Sequence, residues 1–340
     1  MATFIEREEA ILALTLAYHS GEHLLMLGPP GTAKTMLAEE FAKLTGLKFF
    51  HRLLHPFSEP EEILGPIDIQ AHKQGRYERI VSGFLPTAEI AFLDEIFKAN
   101  SAILNALLDA MEYRRLFISP TQTLKLPLKM LIGASNEYPA PDAGLDAFAD
   151  RFLFMVQLNY VDDGNFKGLL KGIGTPFSID PLQVPPDTVQ VPDEIYDLLL
   201  GLRRELRSQG IIVSDRRWVK STKVMKVHAA LRGSNQVERE DVLALRFVLS
   251  KPNQAVENLL YSATFPELAD IREAVAELEN EFARAGSNLE ALMRVAGRCK
   301  TVHASILKTM KSVKLDELDR YRVRVEEINK NIIDLIQLRS

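Results

Sequence analysis

A short apolar run, HLLML at residues 23–27, stops at Gly28 and passes through GPPGTAKT into a stretch of helical periodicity, Lys34 to Thr45, closed by Gly46. That order of events leaves few folds open. An apolar run of this length bounded by glycine predicts a strand buried on both faces. A glycine-bearing turn leading straight into a helix lets backbone N–H groups approach phosphate oxygens, while the helix offers them its positive end. With this spacing Lys34 reaches the β- and γ-phosphates of ATP, and the Thr35 hydroxyl ligates Mg²⁺. Gly28, Pro29, Pro30, Gly31, Thr32, Ala33, Lys34, Thr35 and Met36 are the candidate nucleotide-binding residues. The general pattern has glycine where this chain has Ala33, the smallest possible departure.

The rest of the first half repeats the alternation. Leu47–Leu53, Glu89–Leu93 and Lys129–Ala134 read as further strands, and residues 4–19 and 99–113 as helices. Strands alternating with helices predict an α/β fold with a parallel sheet sandwiched by helices. Two segments interrupt it: Pro66–Pro86, with Gly75 at its middle, and Arg115–Pro127, around Ser119 and Pro120. Each is expected to be a β-hairpin insertion, with an ordinary surface loop as the alternative. From Gly174 to Pro192 the composition shifts to Pro, Asp, Ser and Gly, which predicts a linker. Residues 193–250 read as helices only. Beyond Phe265 the chain is charged and helical, with candidate helices at 266–285, 288–312 and 314–338. The last carries Leu315, Leu318, Tyr321, Val325, Ile328, Ile332, Leu335 and Ile336 at three-four spacing, a stripe that packs on its own hairpin or on a partner helix. The expected organisation is an α/β core over 1–175, an all-α lid over 190–260 and a helical C-terminal extension over 262–340.

Composition removes several classes. The net charge of −5 speaks against a chain devoted mainly to gripping nucleic acid. A single cysteine, Cys299, leaves no disulfide within one chain. Glu6, Glu8 and Glu9 stand where a signal peptide wants basic residues, and the longest apolar runs, such as Ala10–Tyr18, are too short for a membrane span. A cytoplasmic location is expected. His19, His51, His55 and His72 form no recognisable metal set.

Four further features carry chemistry. IAFLDE, residues 90–95, is an apolar strand from whose C-terminal end two carboxylates emerge, where open parallel sheets bind ligands. Asp94 can hold Mg²⁺ through water, and Glu95 can orient or deprotonate an attacking water. LIGASNE places Asn136 just after another strand, as a turn residue or as an amide that fixes that water. Asp150-Arg151-Phe152 offers an arginine that is either an internal salt-bridge partner or a finger to a neighbouring subunit's γ-phosphate. SDRRW, residues 214–218, opens a helix with Arg216 and Arg217, either of which can report nucleotide state to the lid.

Taken in order, GPPGTAKT, FLDEI, SNE, DRF and SDRRW resemble an AAA+ P-loop ATPase of the MoxR family, over about residues 5–250. The stretch GRYERIVSGFLPTAEIAFLDEIFKANSAILNALLDAMEYRR is similar in particular to the RavA subfamily, although the helical tail is not. Ala33 is usual in that family. The resemblance implies that Lys34 and Thr35 belong to Walker A, Asp94 and Glu95 to Walker B, Asn136 to sensor 1, Arg151 to the arginine finger and Arg216 to sensor 2, with Arg217 as runner-up. It makes the insertions the helix-2 insert and the pre-sensor-1 hairpin. It implies a homo-oligomer, a hexameric ring with ATP between subunits, and a chaperone that remodels a partner carrying a von Willebrand factor A domain. A nucleic-acid motor and a nucleotide-switched scaffold built on the helical tail are the competing classes.

Overall fold

The computed structural model describes residues 2–119, 122–140, 144–286, 288–310 and 316–337. They fall into two units, Met1–Asp197 with Gln209–Val256, and Leu198–Ser208 with Glu257–Ser340.

The first unit is organised by strands that bury both faces. β1 (Thr3–Phe4) precedes helix α1 (Glu8–Ser20), and β2 (Leu24–Leu27) leads through the phosphate loop into α2 (Lys34–Thr45). Then come β3 (Phe49–Leu53), the short helices α3 (Glu61–Leu64) and α4 (Ile69–Lys73), β4 (Ile90–Asp94) and α5 (Ser101–Tyr113). A hairpin of β5 (Arg115–Ser119) and β6 (Gln122–Lys125) precedes β7 (Met130–Ser135), α6 (Asp146–Ala149), β8 (Phe154–Gln157), α7 (Asp163–Leu170) and β9 (Thr175–Pro176). Five strands make one parallel sheet in the order β3-β4-β7-β2-β8. Because side chains alternate along a strand, Leu25, Leu27, Ala91, Leu93, Leu131 and Met155 share one core with Ile103, Leu107 and Met111 of α5. Leu24, Met26, Ile90, Phe92 and Ile132 are equally buried on the opposite face. The helix boundaries follow local chemistry. Gly21 and Gly46 end α1 and α2 in the left-handed conformation, and the Asn100 side chain caps α5 by accepting from the Ala102 and Ile103 N–H groups.

Three expectations are corrected. The helix read from residue 4 begins at Glu8, because Thr3–Phe4 pairs antiparallel with Thr175–Pro176. The segment 66–86 is not a strand hairpin. A single antiparallel bridge, Ile67 to Arg79, closes around α4, which Asp68 nucleates by accepting from the Gln70 and Ala71 N–H groups. The linker read over 174–192 is anchored, since Phe177 is fully buried with edge-on contacts to Phe4 and Phe41. The second insertion is a hairpin as expected, β5 pairing antiparallel with β6, and Pro120 lies outside the described residues. α8 (Asp193–Ser208), of which Leu198–Ser208 belongs to the second unit, α9 (Asp215–Leu231) and a 3₁₀ segment, Arg239–Phe247, follow.

In the second unit lie α10 (Gln254–Thr264), which the unit joins at Glu257, α11 (Pro266–Ala285), α12 (Leu289–Thr309) and α13 (Asp316–Gln337). The last three pack on one another. Leu318, Tyr321, Val325, Ile328 and Ile332 of the stripe are buried within the unit, so its own helices fill it; Leu335 is exposed. Leu315 and the side chain of Ile336 lie outside the described residues. No described helix is long and apolar enough to cross a membrane.

One buried polar group ties the sheet to α5. Nε2 of His23 donates to the Met111 carbonyl at 3.0 Å, and its Nδ1 accepts from the Leu131 N–H at 2.9 Å. This pairing needs the neutral ring. Burial, with the Arg114 charge second, pushes its pKa down to about 3. Below pH 6.5 the unfolded chain takes up a proton that the folded chain refuses, so stability falls as pH drops from 6.5 towards 3. The expected loss from this group is about 1.4 kcal/mol per pH unit. Denaturant unfolding at pH 7, 6 and 5 should show that slope flattened in His23→Gln.

Candidate active site

The phosphate loop is shaped by close approaches. At Gly28 φ is 146°, and a Cβ there would lie 2.1 Å from the Leu158 carbonyl oxygen, so no other residue fits between the ends of β2 and β8. Its N–H donates to the Ser135 carbonyl at 3.1 Å, tying the loop to β7. Gly31 at φ 81° and Ala33 at φ 70° turn the chain into α2. Alanine in the left-handed region is strained, by roughly 1–2 kcal/mol. Ala33 supplies no side-chain cap to α2, which leaves the N–H groups of the first turn for a ligand. Arg7 braces the loop from behind. Its Nε donates to the Thr32 carbonyl at 3.1 Å and its Nη2 to the Asn159 carbonyl at 2.8 Å.

Lys34 lies within the loop, its ammonium donating to the carbonyls of Gly28 and Pro29. Burial lowers its pKa, and attraction to Asp94 and Glu95 works against that. The two carboxylates stand at the end of β4. Glu95 occupies the left-handed region at φ 52°, a conformation that costs of order 1–3 kcal/mol and that clusters at functional sites. It accepts a hydrogen bond from the Asn136 amide at 2.9 Å, and Lys98 lies 3.4 Å from its other oxygen. The parallel register makes this meeting possible. Leu93 is level with Gly133, so the residues that follow emerge at matching heights.

Residues Pro30–Met36, Asp94, Glu95 and Asn136 line one open cleft of about 370 Å³. Gly28 and Pro29 sit behind it as the acceptors of the Lys34 ammonium. Every nucleotide-site residue read from the sequence is thus brought to one place, except Arg151 and Arg216. A second hollow of about 260 Å³ shares Gly31, Thr32, Ala33 and Met36 with it and is walled by Ile5, Tyr160, Val161 and Ile173. These apolar residues carry no signal in the sequence, because only the pairing of β1 with β9 brings residue 5 beside residue 173.

Arg151 and Arg216 meet elsewhere in the same unit. Nε of Arg151 lies 2.7 Å from the Glu112 carboxylate without pointing its N–H at it, and Nη1 of Arg216 lies 3.4 Å from the same oxygen. Arg217 is different. It is buried, pairs with Asp150 at 2.9 Å, and donates to the carbonyls of Phe152, Leu153 and Val248. Its guanidinium nitrogens are all engaged by protein, whereas Arg216 is half-exposed and, among the described residues, makes only longer contacts, 3.4 Å, to Glu112 and the Asp150 carbonyl.

A parallel sheet that carries a phosphate loop at the end of a central strand and an acidic pair on the next strand but one defines a P-loop nucleotide-binding fold of the AAA+ class. Residues 1–182 match the family model described as the MoxR domain in the MoxR-vWA-beta-propeller ternary systems, and residues 194–259 match an AAA lid domain. The chain belongs to the MoxR family. Two uncharacterized proteins of Methanocaldococcus jannaschii are each 32% identical to it, over 98% and 97% of this chain and 90% and 93% of their own length. The chaperone MoxR1 of Mycobacterium tuberculosis is 29% identical over 46% of this chain and 41% of its own. The crystal structure of a presumed ATPase of Cytophaga hutchinsonii superposes with a TM-score of 0.58 at 19% identity, covering 76% of this chain and 90% of that one, which supports the fold.

The two adjacent arginines should separate in a stability measurement. Arg217→Ala strips three backbone carbonyls and Asp150 of their donor and should cost on the order of 3 kcal/mol. Arg216→Ala should stay within about 0.5 kcal/mol. Denaturant midpoints of the two variants check this.

Proposed function

We propose that the chain is an ATPase that hydrolyses ATP at subunit interfaces of a homo-oligomeric, six-membered ring and uses the cycle to remodel a partner protein. The observation that carries this reading is the single cleft that collects Lys34, Thr35, Asp94, Glu95 and Asn136. The fit to ATP is good. A polar cleft at an uncapped helix N-terminus suits the phosphates, and the apolar hollow beside it suits a base. Thr35 and, through water, Asp94 would hold Mg²⁺, which offsets phosphate charge when bound.

The protein groups have distinct roles. Lys34 and the loop N–H groups fix the triphosphate. Glu95 orients and activates water, and Asn136, which already donates to it, keeps that carboxylate in place. Arg151 is absent from its own chain's cleft, which favours the finger role, in which it stabilises charge on a neighbour's γ-phosphate. Arg216 reports nucleotide state to the lid.

The family model is named for systems that combine a MoxR domain with von Willebrand factor A and β-propeller proteins, and this supports the choice of partner more firmly than the RavA-like stretch does. The partner proposed is a protein with a von Willebrand factor A domain. A net charge of −5 disfavours the nucleic-acid motor, and the stripe of α13, filled by its own unit, disfavours the scaffold.

Lys34→Ala should abolish tight ATP binding. Glu95→Gln should bind ATP without turning it over. Arg151→Ala should keep binding and lose turnover by about 10³-fold. Nucleotide titration and phosphate release separate these outcomes, and normal turnover in Arg151→Ala removes the finger. A von Willebrand factor A protein encoded beside this one should be retained by Glu95→Gln with ATP; equal retention by Lys34→Ala would argue against nucleotide-gated remodelling.

A further inference from the structure

Glu112 is the last acidic residue of α5, one position before the helix ends at Tyr113, and no sequence motif singles it out. Its Oε2 lies 2.7 Å from Nε of Arg151 and 3.4 Å from Nη1 of Arg216. The second nitrogen of Arg216, Nη2, lies 3.4 Å from the carbonyl of Asp150, the residue next to Arg151. The two arginines come from distant segments, the turn before β8 and the first turn of α9. The three side chains are about equally half-buried, at 31–32% exposure, so their attraction is only partly screened by water.

Arg151 approaches this carboxylate at Nε, whose N–H is not aimed at the oxygen, so the contact is an ion pair and not a directed hydrogen bond. That attraction holds the guanidinium beside the end of α5, and its planar fork of N–H donors can still meet a second anion. α5 itself begins a few residues after Glu95, so the carboxylate that handles water and the carboxylate that handles the arginines bracket one rigid helix.

We propose that Glu112 is a positioning residue that holds Arg151 and Arg216 together, so that the arginine offered to the neighbouring subunit and the arginine at the start of α9 move as one. The proposal rests on the finger reading of Arg151 and adds its regulation. When Arg216 is drawn to nucleotide, Glu112 keeps a full charge for Arg151 alone and holds it more firmly. When Arg216 returns, the single carboxylate is shared and the finger loosens.

The test is ATPase kinetics on the full-length assembled protein with Glu112→Gln, Glu112→Asp, Arg151→Lys and the double variant Glu112→Gln/Arg151→Lys, with thermal melts to show that each is folded. Glu112→Gln should lower kcat roughly tenfold, within the range of coupled neighbours, with KM for ATP within about twofold. Glu112→Asp should recover part of the loss, and Glu112→Gln should add little once Arg151 is already lysine. Unchanged kcat in Glu112→Gln, beside a collapsed kcat in Arg151→Lys, overturns the proposal and keeps the finger. Losses that multiply in the double variant also overturn it, since Glu112 would then act without Arg151. Normal kcat in Arg151→Lys and in Arg151→Ala removes the finger reading itself.

Discussion

The cleft depends on one constraint, that β2 lies in parallel register between β7 and β8. Leu27 is level with Ser135 on one side and with Gln157 on the other. The next residues of the three strands, Gly28, Asn136 and Leu158, therefore leave the sheet at one height. Gly28 is squeezed between its neighbours, donating to Ser135 while its missing side chain makes room for the Leu158 carbonyl. The apolar side chains that enforce this register are buried on both faces, each contributing about 1.5–3 kcal/mol. The loop tolerates its strained residues because the strand beneath it cannot slip. A slip of one residue would exchange the faces of the strand and lift the phosphate loop away from Asn136.

Among the described non-glycine residues with positive φ, two of four lie at the cleft, the others being Glu6 and Arg114. Ala33 and Glu95 both adopt left-handed backbone conformations without being glycine. At Ala33 the small side chain tolerates the turn that opens α2. At Glu95 the unusual φ sends the carboxylate towards Asn136 in place of continuing β4, and the Glu95 N–H donates to Asp94 at 2.9 Å. Asp94 stays in line with the strand, while Glu95 turns towards the amide on the next strand.

How much of this is legible in the sequence depends on whether the signal is local. The strand, loop and α2 are legible because the apolar run, the glycines and the helical period adjoin one another. Glu95 and Asn136 are legible as strand ends, though their hydrogen bond follows only from the register. β8 is not. Its run, Phe152 to Leu158, begins directly after Arg151 with no glycine or proline to mark a boundary. The insert at 66–86 misleads because Gly75 resembles a hairpin turn, whereas the Asp68 cap and the helix-compatible residues after it favour α4. The apolar hollow and the Glu112 cluster are invisible for a common reason. Each joins residues far apart in sequence, through two-residue strands in one case and half-exposed charges in the other.

The arginines illustrate why adjacency in sequence says little about role. Arg216 and Arg217 follow one another at the start of α9, where successive side chains point about 100° apart. One turns inward, where four oxygens of Asp150, Phe152, Leu153 and Val248 fully engage it. This fastens α9 to the turn that carries Arg151. The other turns outward and shares Glu112 with Arg151. Three guanidiniums thus face two carboxylates, Glu112 and Asp150, and the pair of buried Arg217 with partly exposed Asp150 is balanced. The unbalanced positive charge resides in the half-exposed pair, Arg151 and Arg216. A local excess of positive charge on a rigid support is a standing attraction for an anion, felt most where water is excluded. Within one chain that charge is kept out of the cleft lined by Lys34, Glu95 and Asn136, which is the placement that the proposed finger role of Arg151 requires.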